Sequence, residues 1–336
     1  MTRATGIGSW PGDDATRDGS DFAEALKAVL GSLDLPHLPE LPGRGAHAAT
    51  TGRGLAVLAD LGADLQPSGW RLTGGGRGTS GVDHRRARSL LAQDLDALEE
   101  QAQGLTGTVK VQVAGPWTLA ATVERPRGDA LLADHGARRE LAQALADGVG
   151  THVADVRRRV PDATEVVVQL DEPALPSVMA GRVPTASGFG RHRVVHPPEA
   201  SALLEEVLGA VSAAGATPWV HSCAADAPLG LLLGAGARGL LVDLDLLDAG
   251  AHDALAAALE DGASVVLGVL PGTGAAPGTS HTAVVERVER WFDMVGLDLG
   301  SLGEQVALSP ACGLAGASVA AARRACEVLA TAARSL

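Results

Sequence analysis

The chain has 336 residues and a formal net charge of −13; hydrophobic residues make up 46% of it, aromatics only 2%, and there is no tyrosine. That charge repels a phosphate backbone and so few rings offer little for bases to stack on, so no nucleic-acid partner is expected. The start, MTRATGIGSWPGDD, lacks the apolar core of a secretory signal, no run of about 20 apolar residues marks a membrane span, and three cysteines make no disulfide framework. The expectation is a cytoplasmic protein with reduced thiols and no membrane partner.

In chain order, short β-rich runs alternate with longer alanine-rich stretches of helical spacing. The candidate strands are ATGIG (4–8), LPHLPEL (35–41), VKVQVAG (109–115), EVVVQLDEP (165–173), TPWVHSC (217–223), GLLVDLD (239–245), SVVLGVL (264–270) and QVALSPAC (305–312). Helices are predicted over 21–30, 84–103, 130–159, 198–214, 226–236, 249–261, 281–295 and 318–334, with Gly31, Gly104, Gly215 and Gly262 as helix-ending residues. Strands that are nearly all apolar and separated by helices indicate a parallel sheet covered on its faces. Eight such pairs predict a single-domain (β/α)8 TIM barrel. A doubly wound sheet is the alternative, but no Gly-x-Gly-x-x-Gly follows the first strand. The glycine-rich, polar segment 42–83, with RLTGGGRGTSGVDH, is predicted as an excursion over one rim.

In such barrels the active site gathers at the C-terminal ends of the strands. Those ends carry Ser9, Glu40, Gly115-Pro116, Asp171-Glu172-Pro173, His221, Cys223, Asp243 and Cys312. His221 and Cys223, two apart on a strand, project from the same face, and imidazole with thiolate suits Zn2+. Taken alone, His-x-Cys reads first as a buried cysteine beside a hydrogen-bonded histidine, and a second cysteine changes that reading. Cys312, at the end of the last strand, adds a second thiol, and Asp243 or Asp245 from the intervening strand a carboxylate. Cys326, within AARRACEVLATAA, reads as a small packed hydrophobe of a helix. Asp171 and Glu172 point to opposite faces, so at most one enters the mouth. Asp171 suits an ammonium-bearing substrate; a solvated acidic turn is the other reading.

Five motifs in order, TGIGSWP, GPWT, VQLDEPAL, VHSC and SPACGL, resemble the C-terminal catalytic barrel of cobalamin-independent methionine synthase. The chain looks like the short, single-barrel members of that family, within a superfamily that also holds uroporphyrinogen decarboxylase. The resemblance implies zinc held by His221, Cys223, Cys312 and Asp243, the last in place of the family's Glu. It implies that Asp171, Glu40 and the backbone near Ile7 and Ser9 hold the amino-acid part of homocysteine. The implied reaction is zinc-dependent methylation of the homocysteine thiol to methionine. The donor side departs from the family: GVLPGTG (268–274) has no acid or histidine, Ala-Gly-Ala follows CGL in place of Lys-Thr-Arg, and LAATVERPRGD replaces an aromatic-bearing loop. The expected methyl donor is therefore methyltetrahydrofolate or another, such as a methylcorrinoid brought by a delivering protein. A barrel that binds zinc or a thiol amino acid without turnover is the non-enzymatic alternative.

Overall fold

The computed structural model describes residues 1–13, 20–75 and 80–336. Its strands and helices are, in order, β1 (Arg3–Ala4), α1 (Ser20–Ser32), α2 (Thr50–Val57), β2 (Leu61–Gln66), β3 (Gly69–Gly75), α3 (Val82–Gln101), β4 (Thr108–Ala114), α4 (Pro116–Thr122), α5 (His135–Arg159) and β5 (Glu165–Asp171). There follow α6 (Leu175–Met179), α7 (Pro197–Ala213), β6 (Thr217–Ser222), α8 (Leu229–Gly234), β7 (Gly239–Asp243), α9 (Ala249–Glu260), β8 (Ser264–Leu270), α10 (His281–Val295), α11 (Leu299–Leu302), β9 (Val306–Pro310) and α12 (Val319–Ser335).

Seven strands form one parallel sheet in the order β1-β9-β8-β7-β6-β5-β4. Residues 35–40 close it. On one side Leu35 N–H donates to Ala4 O (3.0 Å) and Glu40 N–H to Gly8 O (3.1 Å); on the other, Leu38 N–H donates to Lys110 O (3.0 Å) and Lys110 N–H to Pro36 O (2.9 Å). The strand expected at 35–41 thus exists as a row of bridges, because Pro36 and Pro39 have no N–H to continue a ladder. The architecture is the expected (β/α)8 barrel in a single domain.

Alternation along the strands sorts side chains into two separate apolar clusters. Val109, Val111 and Val113 of β4, like Val166, Val168 and Leu170 of β5, face out and pack under the helices. Val167, Trp219, Leu241, Val266 and Ala307 face in, and with Ile7 and Leu35 they fill the lumen. Trp219 lies across that lumen against Gly239, where an added Cβ would come 2.5 Å from the indole ring. Toward the C-terminal end the lumen turns polar, with Gln112, Gln169, Asp171 and His221 all buried.

Three of the four glycines expected to end helices adopt positive φ, Gly104 at 76°, Gly215 at 79° and Gly262 at 86°. Gly31 instead lies within α1. The segment 42–83 contains the α2 helix, which packs near β4, α3 and α5, and the antiparallel β2–β3 hairpin. Residues 76–79 of its glycine-rich run lie outside the described residues. Among the described residues no helix is long and apolar enough to cross a membrane.

Candidate metal centre

Inward alternation on β6 carries from Trp219 to His221, and the next inward position, just past the strand end, is Cys223. Cys312 arrives from the end of β9. Ala311 N–H donates to Leu270 O (2.7 Å), and the close passage depends on Gly268, where a Cβ would meet Val242 O at 2.5 Å and Ala311 Cα at 2.6 Å. The two sulfurs, 89 positions apart in sequence, thereby come within 2.7 Å of each other as free thiols. One ligand atom from each of His221, Cys223 and Cys312 lies within 4.8 Å of the others.

The donor set fits a soft divalent ion. Zinc takes thiolate sulfur at about 2.3 Å and imidazole nitrogen at about 2.0–2.1 Å. His221 Nδ1–H donates to Asp171 Oδ1 (2.8 Å), which leaves Nε2 as the lone pair; Nε2 is buried and accepts no hydrogen bond from the described residues. That pattern, one ring nitrogen held by a carboxylate and the other free, is the usual support of a metal-binding histidine. Burial would lower the His221 pKa, but the Asp171 hydrogen bond and the nearby Cys312 raise it to about 9. The Cys223 thiol is pushed up by its hydrogen bond to Cys312 and by burial. Cys312 is held down to about 4, through the Cys223 thiol and His221 and against burial. A metal ion here would bind the deprotonated forms of these side chains, so its binding would release protons.

Behind the histidine stands a polar layer. Gln169 Nε2 donates to Asp171 Oδ1 (2.7 Å) and to Ile7 O (2.8 Å), and Lys110 Nζ donates to Gln169 Oε1 and to Ile7 O (3.2 Å). Burial brings Lys110 down to about 7, against the pull of Asp171 and Glu40. Glu40 receives Gln112 Nε2 (3.1 Å) and is ion-paired with Arg53 (3.3 Å). Burial nevertheless raises it to about 6. A cavity of about 140 Å3 is lined by Ile7, Gly8, Ser9, Glu40, Asp171, His221, Cys223 and Cys312 among others. Ser9 also binds the cysteine-bearing loop: Leu314 N–H donates to Ser9 O (2.9 Å) and Ala315 N–H to Ser9 Oγ (3.3 Å).

Seven of the eight expected site residues thus line one cavity. Asp243 does not. Its Oδ1 accepts from Asp245 N–H (3.0 Å), capping the 3-10 turn Leu244–Leu246, and it is outside the His221, Cys223, Cys312 group. Asp245 is exposed and pairs with Arg287 (2.6 Å). Cys326 is buried in α12, as expected of a packing residue.

Sequence reasoning passed over residues of the polar layer behind the histidine. Lys110 and Gln169 were legible as polar side chains at inward positions of otherwise apolar strands. Glu172 faces away from the cavity, as its parity demands, and is fully buried. It accepts from Trp117 N–H (2.9 Å), Thr118 N–H (2.8 Å) and Thr118 Oγ1–H (2.9 Å), tying GPWT to LDEP. Gly115 has no room for a Cβ, because the Glu172 carboxyl occupies that space.

A parallel α/β barrel with one imidazole and two thiols converging at its C-terminal mouth defines the class of barrel whose mouth could hold a soft metal ion. More narrowly, residues 99–335 match the family model "Cobalamin-independent synthase, Catalytic domain", and the chain belongs to that family. Among solved structures, it is similar to a B12-independent methionine synthase from Shewanella sp. W3-18-1 in complex with selenomethionine. That likeness has a TM-score of 0.63 and 13% identity, and covers 98% of this chain and 96% of the other. A GH5_18 protein from Streptomyces cattleya in complex with GlcNAc is a looser likeness, at a TM-score of 0.48 and 15% identity over 99% of this chain and 80% of that one. At 13% identity the likeness to the methionine synthase structure speaks for the fold alone. No curated protein sequence matches the chain.

Proposed function

We propose that the protein is a zinc-dependent thiol methyltransferase that converts homocysteine to methionine, acting in a reducing compartment, the cytoplasm. The observation that carries this reading is the convergence of His221, Cys223 and Cys312 in a chain of the cobalamin-independent synthase family. These three side chains would hold the ion, and three protein ligands is the number typical of catalytic rather than structural zinc sites. Zinc bound there lowers the pKa of a substrate thiol, so that its sulfur is presented as thiolate, the nucleophilic form.

The chain's own residues supply orientation. Two carboxylates, Glu40 and Asp171, line the cavity and suit the ammonium of an α-amino acid. The backbone at Ile7–Ser9 forms another part of the wall, where it would position the amino-acid portion. Fixing the thiol relative to the donor removes the entropic part of the barrier.

The test is zinc analysis of purified protein together with methylation assays. About one zinc per chain is expected, lost in Cys223→Ser and Cys312→Ser; a zinc-free wild type, or zinc retained by the double variant, sinks the proposal. Assays run in parallel with methyltetrahydrofolate and methylcorrinoid identify the donor. The donor-side departures at 268–274 give the second arm its motive. Homocysteine binding without transfer from either donor would assign a thiol-binding rather than catalytic barrel.

A further inference from the structure

The lumen of this barrel is apolar at the level of Val167, Trp219 and Leu241, yet β4 places a lysine there. Lys110 pairs in register with the inward Val167 and is 0% exposed. A buried ammonium costs several kcal/mol relative to an apolar side chain of similar length. Packing alone would select methionine or leucine at this position, so the lysine is held for its hydrogens.

Those hydrogens go to two acceptors, Ile7 O and Gln169 Oε1. The Gln169 amide has only one workable orientation around them. As it stands, Oε1 accepts from Lys110, while Nε2 donates to Ile7 O and to Asp171 Oδ1. Turned over, the oxygen would face a carbonyl and a carboxylate, and the NH2 would face an amine. Charged or neutral, the lysine amine donates to Oε1. Asp171 Oδ1 in turn accepts from both Gln169 Nε2 and His221 Nδ1. Its placement, and with it the direction of the free His221 Nε2, depends on the amide behind it.

We propose that Lys110 is a positioning residue of the metal centre, fixing the amide of Gln169 and through it the Asp171 carboxylate and the His221 ring. The relay runs Lys110, Gln169, Asp171, His221, with the metal at its end, and rests on the zinc reading above. It connects the lumen of the barrel, remote from solvent, to the ligand that faces the substrate cavity.

The experiment uses the full chain and two probes, Zn2+ in competition with a chromophoric chelator and Co2+ for its ligand-field spectrum. Lys110→Met is expected to weaken zinc binding about 10–100-fold, the usual effect of losing an outer partner of a ligand, and to shift the Co2+ bands. The urea midpoint of the metal-free variant should equal or exceed that of the wild type, which separates positioning from a structural role. Zinc affinity and Co2+ spectrum both unchanged in Lys110→Met would overturn the proposal. Should that variant fail to fold, Gln169→Glu decides: it keeps an acceptor for Lys110 but removes both donors, so zinc affinity should fall as far. Unchanged affinity in Gln169→Glu likewise overturns the relay. A wild type that binds neither ion overturns the zinc reading instead, and is told apart by the absence of any signal to perturb.

Discussion

Cys223 and Cys312 stand with their sulfurs 2.7 Å apart at the ends of strands that are not neighbours in the sheet. The approach is made possible by Gly268, between them in the strand order, whose missing side chain lets Ala311 pass close. Both thiols are half-buried, whereas Cys326 is 3% exposed. Alkylation should therefore distinguish three states. In zinc-loaded protein none of the three cysteines reacts readily. After chelation Cys223 and Cys312 are modified while Cys326 stays intact until the chain unfolds. Mass spectrometry of alkylated peptides reads this directly; equal modification with and without zinc would contradict ligation by these sulfurs.

The two aspartates named from the sequence should behave differently. Asp171 holds the Nδ1–H of His221, so Asp171→Asn is expected to cost about 10–100-fold in zinc affinity. Asp243 caps the turn that follows β7, so Asp243→Asn should change zinc affinity by less than about tenfold. Chelator competition measures both. A large loss in Asp243→Asn would mean that this carboxylate leaves its cap to complete the coordination sphere.

The contrast between these residues shows what a linear sequence reveals. Strand parity placed His221 and Cys223 on one face and set Asp171 and Glu172 on opposite faces, and the barrel rule brought Cys312 to the same rim. Each of those inferences uses only a strand's period and the direction of the chain. VDLDLLD, by contrast, reads as strand through 245, yet β7 stops at Asp243 because the aspartate carboxylate captures the Asp245 N–H and starts a 3-10 turn. A local hydrogen bond of that kind competes with the ladder and leaves no periodic trace. The bridged strand at 35–41 was similarly faint, since its prolines weaken the pattern that announces a strand. Lys110 and Gln169 were visible as polar breaks in apolar runs, but their partners come from other strands, and nothing along one strand names them.

Glu172 should matter to stability rather than to zinc. Its carboxylate is the shared acceptor for Trp117 N–H, Thr118 N–H and Thr118 Oγ1–H at the start of α4. Burial, its largest influence, raises it to about 7 against these three donors. Glu172→Ala leaves buried donors without an acceptor and should cost about 3 kcal/mol in chemical denaturation. Glu172→Gln retains one acceptor oxygen and should lose less. Equal losses in the two variants would show that the carboxyl serves as filler rather than as an acceptor.

His152 of α5, which does not line the site cavity, offers a pH test. Burial, with help from the Arg53 charge and against Asp155, lowers it from 6.5 to about 4. The folded chain keeps this ring neutral, while the unfolded chain protonates it below about 6.5. Its contribution to stability is therefore complete above 6.5 and is lost as pH falls from 6.5 toward 4, by about 3 kcal/mol at most. Glu40 and Glu172, raised to about 6 and about 7, work the other way: their protonated forms favour the folded state, and stability from them is lost as pH rises through those values. The wild type should accordingly show a shallow pH dependence in this range, and His152→Leu should expose the carboxyl slope by removing the opposing one. Relative to wild type, the variant should gain stability on moving from pH 8 to pH 5, measured as urea midpoints at each pH. A difference between the two proteins that stays constant with pH would mean that this histidine is not kept neutral by the fold.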